Sequence, residues 1–551
     1  MPGKMNRMLL SAVIAAALFS VFPLTDTDIW WHLACAREWV QTWTPSRSPV
    51  VNVHEYFQMV VGFVYGIGGA PLLVAFKALL WGIVFALFLR RNACIGSPSE
   101  SRPEYPFPLK YVFCILLLFV FRYHFEIRPV LFSLLFLGIY WNVLPRLFYS
   151  SNLAPRAWSL VFAVFIIQWL WCKCQGLYIL GPLFAVAVLI SVWLDAWRLK
   201  IKLPKKYRMF HVGVVLVLFA MPFLHSEGLN LFLYPFGLLD RLVGMSPSAT
   251  VFASGIAENR SPLVLLMAGE NVLQCVLMIA LCIVGLVIAI WNAIKGRLGL
   301  IHICLFVTAL LALIAERNFV LFLPVFLCGL QARGAIRLVV RSLSPVEGPN
   351  HVSRLTSLVS SFPSLVSRLL IGDNSTKVLK HLVSYISSLV SSFPSLVSRL
   401  SSLVLIGFLL GLWGRSLLAY DSSMVAFQRV PVGAAAWMTI HPHEGHLFND
   451  DRAGGYLAFV NPDDSIYIDG RFILKTADFF ERYLRYADDP ALFMHDADSM
   501  QVGRAIFPLR YYARWGKLVS ALEPHKDWDV VYRDSLYIVL NHNFRKPVCE
   551  R

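Results

Sequence analysis

The feature that most constrains this chain is its succession of long apolar runs, at about 8–24, 71–89, 109–121, 129–145, 158–172, 177–194, 209–224, 270–292, 298–314, 318–332 and 402–419. A hydrocarbon core about 30 Å thick takes roughly 20 helical residues to cross, and in lipid each backbone amide must find its partner within the segment. Several runs are shorter than that, so their true ends take in flanking residues, and we read 11 spans. Composition agrees: 57% of the 551 residues are hydrophobic and 15% are charged, against roughly 45–50% and 25% in soluble domains. A single soluble domain, a disordered tail and a fibrous repeat are excluded. The expected fold class is a polytopic α-helical membrane protein.

The net charge of +16 is compatible with nucleic acid or with a membrane surface, and the placement of the charges decides between them. With Lys4 and Arg7 in the cytoplasm and the spans alternating, 24 Lys and Arg fall inside and eight outside. That is the positive-inside bias of a threaded membrane protein, and no nucleic-acid partner is expected. The same rule decides residues 56–69, which are apolar enough for a short span. If they crossed, Arg90 and Arg91 would face outside, so we expect a helix lying at the outer interface. The N-terminal run follows a basic Met-Pro-Gly-Lys-Met-Asn-Arg and reads as a retained signal-anchor.

The domain plan follows. Residues 1–332 form a transmembrane domain with a first outer loop at 25–70, and 401–419 form the last span. Between them, 333–400 are a basic, low-complexity cytoplasmic linker in which Ser357–Leu369 and Ser388–Leu400 both read SLVSSFPSLVSRL. Residues 420–551 carry 15 bases and 18 acids and form an outer α/β domain. Within it Ser465–Asp469 and Val530–Leu540 alternate like strands, and Ala477–Tyr486 has the pattern of an amphipathic helix. The ten cysteines show neither a disulfide framework nor zinc spacing.

The chemistry concentrates in the first outer loop, Thr25-Asp-Thr-Asp-Ile-Trp-Trp-His32. An Asp-x-Asp directly after a span is costly unless solvated or used. Asp28 can cap a helix from Ile29, and His32 then lies one turn on, on the same face. Asp26, Asp28 and His32 so arranged can hold a divalent cation such as Mg or Mn, or one carboxylate can act as general base. The bland alternative is a capped interfacial helix with solvated acids. Further polar groups emerge on the same outer side: Arg122, Glu126, Arg128, Lys173, Glu316 and Arg317. Arg122, Arg128, Lys173 and Arg317 are candidates to grip a phosphate. In the outer domain Asn449, Asp469 and Arg471 are candidate sugar ligands, while Gly454-Gly455 and Asp469-Gly470 fit turns.

Asp26-Thr-Asp-Ile-Trp-Trp-His32 resembles the first-loop signature of integral membrane glycosyltransferases of the GT-C fold. The order Arg128-Pro129, Gln168-Trp-Leu-Trp-Cys-Lys-Cys-Gln-Gly176, Glu316-Arg-Asn318, Phe448–Leu457 and Tyr467-Ile-Asp-Gly-Arg471 resembles a largely uncharacterised bacterial set of such proteins. The resemblance covers most of the chain outside the linker and departs at 173–175, where Lys-Cys-Gln replaces the Asn and His of related chains. It implies sugar transfer from a polyprenyl-phosphate donor to a glycan or lipid acceptor, on the outer face of the bacterial inner membrane, with Asp26 or Asp28 as base or metal ligand. A lipid-linked saccharide transporter and a non-catalytic envelope scaffold are the alternatives.

Overall fold

A helix is the one local structure that satisfies all its own amides, and the apolar runs of this chain fold accordingly. The computed structural model describes residues 7–47, 50–90, 108–149, 155–243, 246–331, 395–510 and 513–543. Most of the repeat-bearing linker, with Cys94 and Cys549, lies outside these residues. Among the described residues five helical segments are long and apolar enough to cross a membrane: Glu55–Leu89, Pro129–Tyr149, Gly176–Arg198, Lys205–Leu224 and Val272–Ile294. Shorter apolar helices cover Leu10–Phe19, Ala157–Cys172, Leu300–Ile314 and Val404–Leu418.

The helices that matter for the site are α1 (Arg7–Phe19), α2 (Asp28–Arg37), α3 (Glu55–Leu89), α4 (Pro108–Val120), α5 (Pro129–Tyr149), α6 (Pro155–Cys172) and α7 (Leu180–Arg198). They are followed by α8 (Lys205–Ala220), α9 (Gly228–Val243), α10 (Pro247–Gly255), α11 (Pro262–Met267), α12 (Val272–Ile294), α13 (Leu300–Ile314) and α14 (Phe319–Gln331). Helix α3 is broken within the run that the charge rule reads as non-crossing. Gly68 and Gly69 leave helical geometry, Gly69 at φ 61°, and Pro71 opens the second limb. Only glycine reaches that backbone region without strain. Residues 55–67 are therefore a separate helical arm, joined through the kink to a buried limb containing Trp81, Phe85 and Phe88.

The C-terminal part contains α15 (Ser395–Leu418), α16 (Val432–Thr439), α17 (Asp451–Val460), α18 (Ala477–Arg485) and α19 (Pro490–Ser499). A final short helix, α20, spans Gly516–Leu522. Its sheet comprises β1 (His446–Asn449), β2 (Val502–Pro508), β3 (Trp528–Arg533) and β4 (Tyr537–His542), in the order β1-β2-β4-β3. β1 runs parallel to β2, and the other pairings are antiparallel, with Ile506 opposite Val539 and Val530 opposite Leu540. Val530–Leu540, expected as one strand, is a hairpin. Residues 465–469 are an extended segment making only an isolated bridge, Thr42 to Ile466, instead of a strand.

This C-terminal part is stitched to the helical part along the first loop. Leu24 N donates to Met424 O at 2.9 Å, Trp43 N to Ile466 O at 3.1 Å and Arg47 N to Leu474 O at 2.7 Å. Lys475, 2% exposed, donates to the hydroxyls of Thr42 and Thr44, both at 2.7 Å, and its burial lowers its pKa to about 8. Phe252 of α10 enters the aromatic core of the sheet and stacks on Phe480 at 5.0 Å.

Candidate active site

A cavity of about 1720 Å³ opens between the helical part and the C-terminal part. It exceeds the roughly 300–1,000 Å³ of an ordinary small-ligand pocket. Its two ends differ in chemistry. One limb runs between α5, α7, α13 and α14 and is lined by Leu137, Trp141, Leu183, Phe184, Val307, Leu321 and Val325, with no charged residue from those helices. At the other end Asp26, Asp28, His32, His54, Glu126, Arg128, Glu258, Glu316, Arg317 and Arg471 line the wall.

Asp26 and Asp28 do different jobs. Thr27 holds the N-cap position and Asp28 is the first helical residue, making no cap hydrogen bond, in contrast to the expected cap. Arg128 stands before Pro129, where a residue is held extended, and its guanidinium forks onto Asp26: Nε to Oδ2 at 2.7 Å and Nη2 to Oδ1 at 2.9 Å. Its outer edge forks onto Glu258, Nη1 to Oε2 at 2.5 Å and Nη2 to Oε1 at 2.8 Å. Both oxygens of Asp26 are thus taken. Asp28 makes no such pair. Enclosure and the neighbouring charge of Asp26 push its pKa up to about 7.

The C-terminal domain closes on Asp28. A Cβ on Gly470 would lie 1.9 Å from Asp28 Oδ1, and one on Gly455 would lie 3.0 Å from Trp31 N. A Cβ on Gly454 would lie 1.9 Å from Ile468 O. None of the three has positive φ, so these glycines mark close approach and not the turn dihedrals expected of them. Asn449, fully buried, donates to Ile468 O at 2.7 Å and accepts from Tyr467 N at 2.8 Å, while Asp450 caps α17 through Ala453 N. Asp469 is spent on Arg471, with Arg471 Nε at 2.9 Å from Oδ2. Arg471 in turn lies over the rings of Trp39, at 4.9 Å, and Trp31, at 5.6 Å.

Arg317 stands on a single 3₁₀ turn, Glu316–Asn318, between α13 and α14. Among the described residues it has no hydrogen-bond or ion-pair partner, although it lines the cavity beside Glu258, whose charge opposes the lowering of its pKa by burial. His32 is 2% exposed, with Nδ1 unpartnered and its ring against Phe57 and His54. Burial, and then His54, hold it well below the usual imidazole range. Glu126 is bonded by the Thr25 hydroxyl and lies 3.9 Å from Lys77 Nζ, which also donates to Phe22 O at 3.1 Å. Lys77, fully buried, is therefore an internal staple behind the cavity lining and not a link in a chain of charges along the spans.

Of the residues singled out in the sequence, the cavity gathers Asp26, Asp28, His32, Glu126, Arg128, Glu316, Arg317 and Arg471. It does not gather Arg122, Lys173, Asn449 or Asp469. Arg122 is satisfied locally by Phe119 O and the Tyr123 hydroxyl, each at 2.8 Å. Lys173 is neutralised by Glu227 and by Glu55, the latter at 2.9 Å, and clamps α3 to the turn before α9. Lys173 is left without a free charge, and Arg122 keeps its charge but lies outside the cavity lining. Among the described residues no three His, Cys, Asp or Glu converge to hold a metal ion. Arg128 already occupies both oxygens of Asp26. Glu258 was not singled out. Its signal is the triplet Glu258-Asn-Arg260, which matches the composition of Glu316-Arg-Asn318. The two turns touch, Glu316 N donating to Arg260 O at 3.1 Å.

No protein-family profile matches the chain, and no curated protein matches it. Among solved structures it is similar to the archaeal oligosaccharyltransferase AglB from Archaeoglobus fulgidus in complex with an inhibitory peptide and a dolichol-phosphate. Identity there is 12%, covering 98% of this chain and 75% of that chain, with a TM-score of 0.46. It is also similar to the Archaeoglobus fulgidus oligosaccharyltransferase in its apo form, at 13% identity over 94% of this chain and 73% of that chain, with a TM-score of 0.47. The form tethered to an acceptor peptide containing the NVT sequon matches at 13% identity over 94% and 72%, with a TM-score of 0.48.

Proposed function

We propose that this chain is a membrane glycosyltransferase that moves a sugar from a polyprenyl-phosphate-linked donor to a lipid-linked or outer-face acceptor. The observation that carries the reading is the two-ended cavity, in which an uncharged apolar limb leads to the unpaired guanidinium of Arg317 and the unpaired carboxyl of Asp28. A prenyl chain is apolar along its length and anionic at one end, and the cavity has that polarity.

The chemistry assigned is direct displacement. Asp28 accepts the proton of an acceptor hydroxyl as the oxygen attacks the anomeric carbon. The bond from that carbon to the phosphate oxygen breaks, and the leaving phosphate takes up its charge against Arg317. A base with a pKa of about 7 is suited to proton transfer near neutral pH, and fixed donors at the leaving oxygens lower the barrier. No step is routed through a divalent cation. In this reading the chain crosses the bacterial inner membrane 11 times, with its N-terminus in the cytoplasm and residues 420–551 in the periplasm.

The test is complementation of a deletion strain with Asp28→Asn and Asp26→Asn, read by the profile of lipid-linked sugars. We expect Asp28→Asn to lose transfer. A wild-type profile from both variants sinks the enzyme.

A further inference from the structure

We propose that Glu258 occupies the seat of a phosphoryl group on Arg128, and that an entering anionic headgroup displaces it. This rests on the donor reading above and gives that donor's phosphate a specific place, between Arg128 and Arg317. Arginine forks onto carboxylates and phosphates with the same bidentate geometry. Arg128 carries two carboxylates on two edges, and they differ in setting. The side chain of Asp26 is 3% exposed and that of Glu258 is 48% exposed, open to the cavity. The inner carboxylate is therefore fixed, and the outer one can leave.

The neighbourhood supports an exchange. Arg317, with its donors unspent, feels Glu258 more strongly than any other charge. Once Glu258 rotates away, the outer edge of Arg128 and the guanidinium of Arg317 face one anion together. The backbone under Glu258 need not move. Helix α10 just before it is pinned by the Phe252–Phe480 stack, and Asn259 Nδ2 donates to Phe252 O at 3.1 Å. Arg128 holds the Glu258 carboxyl down at about 2, so the seat is filled by negative charge at any physiological pH.

The experiment is calorimetric titration of the full chain in detergent at fixed ionic strength, with inorganic pyrophosphate in one arm and farnesyl phosphate in the other. Removing a resident anion frees the fork, so Glu258→Gln and Glu258→Ala are expected to tighten both probes by about tenfold or more. Unchanged or weaker binding in both variants overturns the proposal. Tightening for pyrophosphate alone keeps the seat and reassigns it to a soluble anion, against the lipid-linked donor. Arg317→Met separates the two layers. Its loss of binding supports the phosphate site, whereas unchanged binding in Arg317→Met refutes that site whatever Glu258 does.

Discussion

Two carboxylates two residues apart have been given opposite work by their partners. Asp26 is saturated by Arg128, and Asp28 is enclosed with no ion pair of its own among the described residues, feeling Arg128 only at a distance. Removing a positioned base typically lowers turnover by about 10²–10⁴-fold, and Asp28→Asn is expected to fall in that range with its melting temperature preserved. Asp26→Asn removes the inner carboxylate from Arg128, which keeps Glu258, so its deficit should appear first as a lowered melting temperature, smaller than the about 3–5 kcal/mol of a buried charge left unpaired. Transfer by the wild type should rise with pH through about 7, as Asp28 gives up its proton. Stability should run the other way. A carboxyl whose pKa rises from 3.8 to about 7 on folding makes the folded state bind the extra proton, so its contribution is present below 3.8 and is lost as pH climbs through that window. Parallel rate and melting profiles against pH check both slopes. Gly470→Ala is expected to behave like Asp28→Asn in rate, because its new methyl would lie 1.9 Å from Asp28 Oδ1. A fully active Gly470→Ala would show that the carboxyl is not held there.

At the level of elements, local pattern and local structure agree where a single periodicity governs. The amphipathic run from Ala477 became α18, Ala477–Arg485, with Thr476 capping it. The charge rule separated residues 56–69 from the next span, and the chain kinks there at Gly68 and Gly69. Gly69→Ala forces φ 61° on a residue with a Cβ, which costs about 1–3 kcal/mol. It should lower the melting temperature and loosen the arm 55–67, measurable as faster amide exchange over those residues. Agreement fails where geometry depends on partners distant in sequence. The first loop, Arg128-Pro129 and the Glu316-Arg-Asn318 turn were legible as site material because each combines charge with a span end. Nothing local showed that Lys173 would be consumed by Glu55 and Glu227, or that Gly454, Gly455 and Gly470 would serve as contact points instead of turns. Those roles are set by elements that meet only after folding.

Over the whole molecule, the C-terminal domain shares its core with the helical part. Trp43 donates to Leu447 O at 2.9 Å and stacks on His446, and Phe252 completes the aromatic cluster around Phe480 and Tyr483. Residues 420–551 expressed alone should therefore lack the cooperative melt of the full chain; a sharp independent transition would contradict the shared core. The seam has a consequence for how the protein is made. Asp28 leaves the ribosome 442 residues (470 − 28) before Gly470, the backbone that closes on it. Every unfinished copy inserted in the membrane then carries the acidic loop without its lid. Synthesis itself acts as a time lock: a chain stopped before residue 446 should accumulate in the membrane, intact in its spans, and consume no donor.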